Sequence, residues 1–246
     1  MKHVSIIIPI YINNNNLFAI TKKCIDQVVN ETLNVETEII IVDDASPNKK
    51  LVGFLENKFF PNLKWIHNSE NMGFAKSINA GIKKSTKPLV LLLNNDVVIE
   101  RNDWLDKLIK TMYHYEWDLT APSEGILSKN NDYIPIKNRS SYDGVTFSYL
   151  VGWCMLIKRE VISDVGMLPI NFGRGFWEDT LYCRIIKNNT KYKMGVSKDI
   201  AISHMEHTTF KSIGTDLSKE YIEKRNIYID IINGNRKAIL PKIEDK

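Results

Sequence analysis

Three adjacent polar residues, Asn94, Asn95 and Asp96, follow an uninterrupted apolar run over residues 89–93. The run is typical of a strand that is buried on both faces. One carboxylate beside two amides suits a hard cation, because Mg²⁺ in proteins takes one or two carboxylates together with substrate phosphates. The alternative is an ordinary polar turn after a core strand, and short motifs of this kind do not decide the matter alone.

Two other apolar, β-branched runs end in a comparable way. The first lies near the N-terminus and stops at Pro9 and Tyr11, and the second, residues 38–42, stops at Asp43 and Asp44. In open α/β sheets, ligands bind outside the carboxyl ends of the parallel strands. We therefore expect the three polar clusters to converge on one edge of a sheet and to form a binding site there.

The intervening segments have helical periodicity. Helices are predicted from the spacing of apolar residues over 17–29, 48–58, 74–84 and 104–115. Strands that alternate with helices predict a mostly parallel sheet with helices on both faces. The second half of the chain is less regular, with strands predicted at 153–158 and 201–207, helices at 160–165, 180–188 and 216–234, loops or short strands over 121–148, and a charged tail over 235–246 that we expect to fray.

Composition places few limits on function. The chain has 246 residues, 43% hydrophobic and 25% charged, with a net charge of +4 and a pI of about 8.8. The mild basicity fits an anionic ligand such as a nucleotide. Three scattered cysteines and the absence of a signal peptide indicate a reduced, cytoplasmic setting. No apolar stretch reaches the roughly 18 residues of a membrane span, although peripheral contact with a membrane remains compatible with the sequence.

Seven ordered motifs resemble those of family 2 glycosyltransferases with the GT-A fold, in particular a rhamnosyltransferase-like branch. Each motif is loose, but their order and spacing over roughly residues 3 to 210 are specific. They are SIIIPIY near the start, IIIVDDAS at 39–46, NMGFAKSINAGI at 71–82, LLLNNDVVI at 91–99, VGWCMLIKREVISDVGMLP at 151–169, FWEDTLYCR at 176–184, and His204.

The resemblance implies one GT-A domain over residues 1–246, with a Rossmann-like, mostly parallel sheet and a smaller mixed region on the acceptor side. Residues 1–120 would bind the nucleotide sugar, 121–215 would hold the acceptor and the catalytic groups, and 216–246 would form a C-terminal helix and tail. The family pattern assigns recognition of the base to Asp44, whereas Asp43 either contacts the nucleotide or orients its loop. The expected donor contacts are Pro9, Tyr11, Asp43, Asp44, Asn71, Gly73, Lys76, Asn79, Asn94 and Asn95.

The same resemblance implies a divalent metal, Mg²⁺ or Mn²⁺, held by Asp96 and His204. Asp96 stands at the last position of the family's DxD motif, and Asn94 departs from its first acid. A neutral imidazole can complete a metal shell whose other ligands are carboxylate and diphosphate oxygens. A loop over 205–215 is expected to close over the diphosphate.

Catalysis is expected at Glu178 and Asp179. An inverting transfer needs a base that removes a proton from the acceptor hydroxyl, and the resemblance assigns that role to Asp179. Glu178 would orient it or contact the acceptor, against a wall formed by Trp153, Phe176 and Trp177. The alternative is a helix N-terminus that favours acids, which explains the carboxylates but not the aromatic residues beside them.

The resemblance thus implies an inverting, metal-dependent transfer from a nucleoside diphosphate sugar to a glycan or lipid-linked saccharide, as in polysaccharide biosynthesis. Three alternatives stay open. A nucleotidyltransferase would need more acids at its metals, and a non-catalytic nucleotide-sugar binder would need no base. The third is the same chemistry on a modified base in DNA, which would have to be flipped out of a duplex. That alternative draws on the basic residues Lys219, Lys224, Arg225, Arg236, Lys237 and Lys242.

Overall fold

The computed structural model describes residues 2–59, 61, 63–122, 133–135, 140–142, 145–147, 149–198, 200–205 and 216–243. The strands are β1 (His3–Ile10), β2 (Glu36–Asp43), β3 (Lys64–His67), β4 (Leu89–Leu93), β5 (Val97–Ile99), β6 (Leu119–Pro122), β7 (Tyr133–Pro135), β8 (Ser140–Tyr142), β9 (Val145–Phe147), β10 (Cys154–Lys158), β11 (Met194–Ser197) and β12 (Ile202–His204). The helices are α1 (Asn15–Asn30), α2 (Lys49–Phe59), α3 (Phe74–Lys84), α4 (Trp104–His114), α5 (Arg159–Val165), α6 (Glu178–Asn189) and α7 (Leu217–Ile232).

Eight strands form the central sheet in the order β3-β2-β1-β4-β10-β6-β11-β7. The first four are mutually parallel, and β6 and β11 run in the same direction, whereas β10 and β7 are antiparallel to their neighbours. Helix α3 packs against β1 and β2, α4 against β6, and α5 against β10. The predicted α/β class, a mostly parallel sheet flanked by helices, is confirmed.

Strand β4 lies in the middle of the core, and its sequence explains its position. All five residues of its LVLLL run are buried, and it pairs with β1 on one side and β10 on the other. Strands covered on both faces read as continuous apolar runs. Helix α3 approaches the sheet closely at Gly81, where an added Cβ would lie 2.3 Å from Cγ2 of Ile7.

The C-terminal tail corrects one prediction. Of the tail over 235–246 that was expected to fray, residues 236–243 instead run along the segment that follows α5, and residues 244–246 lie outside the described residues. The Met167 N–H donates to the Pro241 carbonyl oxygen at 2.8 Å, and the Ile170 N–H donates to the Ile239 carbonyl oxygen at 3.0 Å. These bonds satisfy backbone groups on both segments, which explains why a charged sequence is ordered here. In the described ranges no helix is both long and apolar enough to cross a membrane.

Candidate active site

The three polar clusters do meet at one edge of the sheet. Strand β1 lies between β2 and β4, with Ile10 paired to Asp43 and Ile7 paired to Leu92. The chain therefore leaves all three strands on the same side. Strand β10 starts at this edge as well, because Cys154 pairs with Leu93. The residues before β10 consequently lie beside those after β4.

Asp43 is fully buried and organises the loop that follows β2. Its carboxylate accepts hydrogen bonds from the Ser46 N–H at 2.9 Å and the Lys49 ammonium at 3.2 Å, and His67 Nδ1 lies 3.3 Å away. Burial by itself would raise the pKa of Asp43, but these partners together lower it below its usual value. The Ser46 hydroxyl accepts the Ile12 N–H at 2.8 Å, which ties this loop to the end of β1.

Asp44 holds the segment that leads into α3. Its Oδ1 accepts from the Asn68 side-chain amide and from the Met72 N–H, both at 2.8 Å, and its Oδ2 accepts from the Gly73 N–H at 2.9 Å. A carboxylate has about four acceptor positions. Because three are occupied here, Oδ2 retains one acceptor position for a donor on a ligand. Recognition of a base by Asp44 stays a prediction, and it is compatible with this geometry.

A glycine-rich turn that the sequence analysis did not single out packs against Gly73. Gly73 has φ +83°, and a Cβ there would lie 2.3 Å from the Gly173 carbonyl oxygen. The Phe74 N–H donates to the Arg174 carbonyl oxygen at 3.1 Å. The signal was present in the sequence as an arginine between two glycines, Gly173 and Gly175. This contact joins the expected nucleotide segment to the segment that carries the expected base.

Two amides expected to contact the donor are used within the scaffold instead. Asn79 donates to the Leu168 carbonyl oxygen at 2.9 Å and accepts the Leu168 N–H at 3.0 Å. The Asn95 amide donates to the Thr21 hydroxyl at 2.7 Å. Both side chains are buried. The structure therefore does not support contact of Asn79 or Asn95 with a nucleotide, because their amides face other parts of the fold.

The other expected donor contacts reach the surface near this edge. Asn71 is exposed, whereas Pro9, Tyr11 and Lys76 are half-buried. Side chains with some exposure at a sheet edge can change rotamer when a ligand arrives. Their roles in binding the donor stay predictions.

Asp96 and His204 come together through a pair of short strands. Strand β12 pairs antiparallel with β5, which places His204 opposite Val97 and next to Asp96. Nε2 of His204 lies 3.0 Å from Oδ1 of Asp96, and both side chains are largely buried. Two ligands each about 2.1 Å from one octahedral ion, at a right angle, are separated by about 3.0 Å. The observed separation therefore fits shared binding of Mg²⁺ or Mn²⁺.

Oxygen atoms from a ligand and from water would complete such a metal shell. Among the described residues, no three His, Cys, Asp or Glu side chains cluster closely enough to hold an ion. The neutral amide of Asn94 lies beside this pair, with its Nδ2 3.1 Å from His204 Nε2. Residues 206–215, most of the loop expected to close over the diphosphate, lie outside the described residues.

Trp153 supports the imidazole of His204. The two rings are stacked, with centroids 5.1 Å apart and an interplanar angle of 9°. The Asn94 N–H donates to the Trp153 carbonyl oxygen at 2.8 Å, which fixes the strand ends relative to each other. Trp153 is also 8% exposed. The expectation that it forms an acceptor wall is therefore not supported, because its ring packs against His204.

Asp179 is held by two backbone N–H groups at the start of α6. Its Oδ2 accepts from the Gly152 N–H at 2.9 Å, and its Oδ1 accepts from the Thr180 N–H at 2.7 Å. A Cβ on Gly152 would lie 3.1 Å from both Cβ and Oδ2 of Asp179. The absence of a side chain at Gly152 therefore allows this approach. Since Gly152 precedes Trp153, one segment contacts both Asp179 and His204.

Glu178 has a different environment from its neighbour. Its side chain is buried, and its Oε2 has no hydrogen-bond partner within the described residues. Burial raises the pKa of Glu178 to about 8, and the charge of Asp179 adds to the effect. A buried carboxyl of this kind can donate a hydrogen bond to a ligand or accept one from it. Shifted pKa values combined with burial are common at catalytic sites.

The aromatic residues before Glu178 differ in exposure. Trp177 is 5% exposed, and its ring centroid lies 5.1 Å from that of Tyr221 and 5.0 Å from that of Tyr228. Contact of Trp177 with an acceptor stays a prediction, and the described geometry does not favour it because the ring packs against α7. Phe176 is half-buried, with its ring 6.1 Å from that of Tyr221, and contact with an acceptor stays a prediction there.

The amino-acid sequence matches a known protein family. Residues 5–166 match the family described as Glycosyl transferase family 2. The chain belongs to this family. An uncharacterized glycosyltransferase of Rickettsia bellii is 24% identical over 213 residues, which cover 84% of this chain and 30% of the relative. An N-acetylglucosaminyltransferase of Bradyrhizobium elkanii is 26% identical over 111 residues, 44% of this chain and 59% of the relative.

Solved structures of glycosyltransferases share the fold. A mannosyltransferase from Pyrobaculum calidifontis, in complex with GDP-Man and Mn²⁺, has a TM-score of 0.61 at 18% identity and covers 85% of this chain and 59% of its own. TarS 1-349 of S. aureus in complex with UDP has a TM-score of 0.60 at 18% identity, over 81% of this chain and 58% of its own. GalNAc-T7 with UDP, GalNAc and Mn²⁺ has a TM-score of 0.66 at 14% identity, over 82% and 44% respectively. This chain therefore spans about 60% or less of each of these proteins.

Proposed function

We propose that this chain transfers a sugar from a nucleoside diphosphate sugar to a hydroxyl group of a saccharide acceptor, with inversion at the anomeric carbon. The observation that carries the proposal is the link through Gly152 and Trp153. The Gly152 N–H holds the Asp179 carboxylate, and the Trp153 ring stacks on His204, which lies 3.0 Å from Asp96. The residues that we propose as the base and as the metal ligands are thus connected through the two adjacent residues Gly152 and Trp153.

In the proposed reaction, Asp179 accepts the proton of the acceptor hydroxyl as the hydroxyl oxygen bonds to the anomeric carbon. The bond from that carbon to the diphosphate oxygen breaks, and its electron pair leaves with the nucleoside diphosphate. One displacement inverts the configuration. The N–H groups of Gly152 and Thr180 fix the carboxylate for this step.

Asp96 and His204 are the residues that would hold Mg²⁺ or Mn²⁺. A bound divalent ion neutralises charge on the leaving diphosphate. The Mn²⁺ in two structurally similar enzymes supports this assignment. The separation of the two side chains fits it independently of those comparisons.

The metal assignment is tested by chelation. EDTA should abolish transfer, and added Mn²⁺ or Mg²⁺ should restore it. Asp96→Ala should weaken binding of the nucleoside diphosphate in calorimetry with metal present, whereas Asp230→Ala, at an exposed aspartate on α7, should leave it unchanged. Full activity in chelator would rule out the metal role.

The substrates are tested by product analysis. Mass spectrometry of products from a panel of nucleotide sugars, incubated with native cell extract as the acceptor source, should show one added sugar on a saccharide or lipid-linked saccharide. One relative is named an N-acetylglucosaminyltransferase, and one structurally similar protein is a mannosyltransferase solved in complex with GDP-Man. The rhamnosyltransferase-like branch, a role in polysaccharide biosynthesis, the cytoplasmic location, any peripheral membrane contact and the division of the domain at residues 120 and 215 stay predictions.

The same analysis discriminates the alternative functions. Release of pyrophosphate would indicate a nucleotidyltransferase, for which the described residues offer no cluster of three acidic ligands. Neither transfer nor hydrolysis of any donor would indicate a non-catalytic binder. A sugar on a DNA base would identify a nucleic-acid acceptor. We favour a saccharide acceptor because the proposed base and metal ligands suit sugar transfer and because structurally similar proteins were solved in complex with GDP-Man and UDP-GlcNAc.

A further inference from the structure

The turn before α6 has an unusual backbone. Phe176 has φ +70° and Trp177 has φ +72°, and neither is a glycine. Bulky residues rarely adopt this left-handed conformation, and they keep it where the surrounding structure fixes it. The two residues directly precede Glu178 and Asp179. The direction in which α6 starts, and with it the position of Asp179, depends on this turn.

Helix α7 packs directly on the turn. Rings of Tyr221 and Tyr228 lie 5.1 Å and 5.0 Å from the ring of Trp177, and Tyr228 is fully buried. We call Trp177, Tyr221 and Tyr228 the aromatic clamp. With Phe172 and Leu181 it forms an apolar cluster separate from the main core. The C-terminal helix therefore has a packing partner of its own beside the expected base.

The clamp is also joined to α6 by a polar contact. Arg184 lies on α6, about one and a half turns after Asp179. Its Nη1 lies 3.4 Å from the Tyr228 hydroxyl oxygen. Aromatic pairs add about 0.5–1.5 kcal/mol to the burial of their surface. Two ring contacts and this polar contact together favour the left-handed turn over other conformations of the segment.

We propose that Tyr228 and Tyr221 are positioning residues: by packing on Trp177 they hold the left-handed turn that places the Asp179 carboxylate against the Gly152 N–H. This inference rests on the proposed function, in which Asp179 is the base. The reacting atoms must be close and aligned, and a shift of about 1 Å can reduce the rate by about 100-fold. Neither tyrosine needs to contact a substrate for this role.

The test is a set of substitutions at the clamp. Tyr228→Leu removes the ring and should lower kcat by about 10- to 100-fold because Asp179 is displaced. Affinity for the nucleoside diphosphate of the accepted donor, measured by calorimetry, should change by less than about 2-fold because that site lies at the sheet edge. Tyr228→Phe keeps the ring and should retain kcat within about 3-fold, which would show that the ring matters.

A matched control is Tyr115→Leu. Tyr115 is a half-buried tyrosine stacked on Trp117, with ring centroids 5.1 Å apart, just before the start of β6 and hence at the opposite edge of the sheet. It should lose packing without losing kcat. Circular dichroism and thermal unfolding monitor folding in every variant. If Tyr228→Leu does not fold, Tyr221→Leu, at a half-buried site, carries the test with the same expectations.

A double variant separates positioning from general damage. In the Asp179→Asn background, Tyr228→Leu should cause no further loss of kcat, because the group it positions is already absent. Equal losses in both backgrounds, or normal kcat in the folded Tyr228→Leu variant, would overturn the clamp proposal. No transfer by the unmodified chain with any donor would instead contradict the proposed function, so the two failures are distinguishable.

Discussion

Two pairs of adjacent acids, Asp43–Asp44 and Glu178–Asp179, lie at the ends of secondary-structure elements but have opposite environments. Asp43 is surrounded by donors, which lower its pKa although it is fully buried. Glu178 is also buried, but its Oε2 has no partner among the described residues, and burial raises its pKa to about 8. Burial alone therefore does not determine the charge of an acid, and the donors around it decide.

The contrast between the two pairs of acids suggests different roles for them, one in binding and one in the reaction. The carboxylates of Asp43 and Asp44 accept most of their hydrogen bonds from the loops that shape the edge of the sheet. Glu178 and Asp179 form a pair in which one carboxyl is driven towards its neutral form by burial and by the charge of the other. A buried carboxyl whose pKa is raised beside a second carboxyl is typical of acid–base sites. We therefore expect substitutions in the first pair to affect binding or stability, and in the second to affect turnover.

The largest effect is expected for Asp179→Asn. The change preserves size but removes the basic oxygen, so kcat should fall by about 10²–10⁴-fold, the usual contribution of a positioned base. Nucleotide affinity should be nearly unchanged, and thermal stability should fall slightly, because an amide can accept only one of the two backbone N–H bonds that the carboxylate accepts. Asp230→Asn, at an exposed site on α7, is the matched control in the same steady-state assay. Near-normal turnover in Asp179→Asn would mean that the base lies elsewhere, and Glu178 would be tested next.

Asp44→Ala should act on the donor rather than on the chemical step. Contacts to a base bind ground state and transition state about equally, so the donor KM should rise by about 10-fold with little change in kcat. Steady-state kinetics and calorimetry with UDP, GDP and TDP measure this. Unchanged binding of all three nucleotides would show that Asp44 only holds the loop that begins at Asn68.

Asp43→Asn should cost stability. An amide cannot accept all the bonds that the buried carboxylate accepts, and the loss should be about 1–3 kcal/mol at pH 7. Because the folded pKa of Asp43 is lowered, its contribution is present above the unfolded value of 3.8 and is lost as the pH falls through the folded value. Denaturant unfolding should therefore show a difference from wild type that shrinks towards low pH. A difference that is constant from pH 7 to 3 would contradict this.

Glu178→Gln should change the pH dependence of stability in the direction opposite to that of Asp43→Asn. The folded pKa of Glu178, about 8, exceeds its unfolded value of 4.5. The neutral form is therefore favoured in the fold, and stability falls as the pH rises from about 5 to 8. Thermal unfolding of Glu178→Gln should lack this part of the decline. Glu70→Gln, at an exposed glutamate, is the control and should follow wild type.

Most of the first half of the fold could be predicted from the sequence, because long apolar runs and helical spacing are local signals. Helix α3 was predicted at the bounds that it has, residues 74–84. Strands β6 and β11 were not predicted, since their four-residue sequences, LTAP and MGVS, carry little periodicity and are buried by neighbouring strands and by α4. The amides of Asn79 and Asn95 were assigned to a ligand because an amide that binds a ligand and one that binds another part of the fold look identical in sequence.

The sequence by itself determined the chemical inventory: strands that end in acids and amides, a Glu–Asp pair after two aromatic residues, and the family motifs that order them. The tertiary structure decided which of these groups meet. Asn94 and His204 are 110 positions apart and become neighbours only through the pairing of β5 with β12. The aromatic clamp likewise needs α7 to pack on the turn before α6. Periodicity and turn chemistry act over a few residues, whereas these contacts depend on the closure of long loops, whose outcome is set by packing of the whole domain.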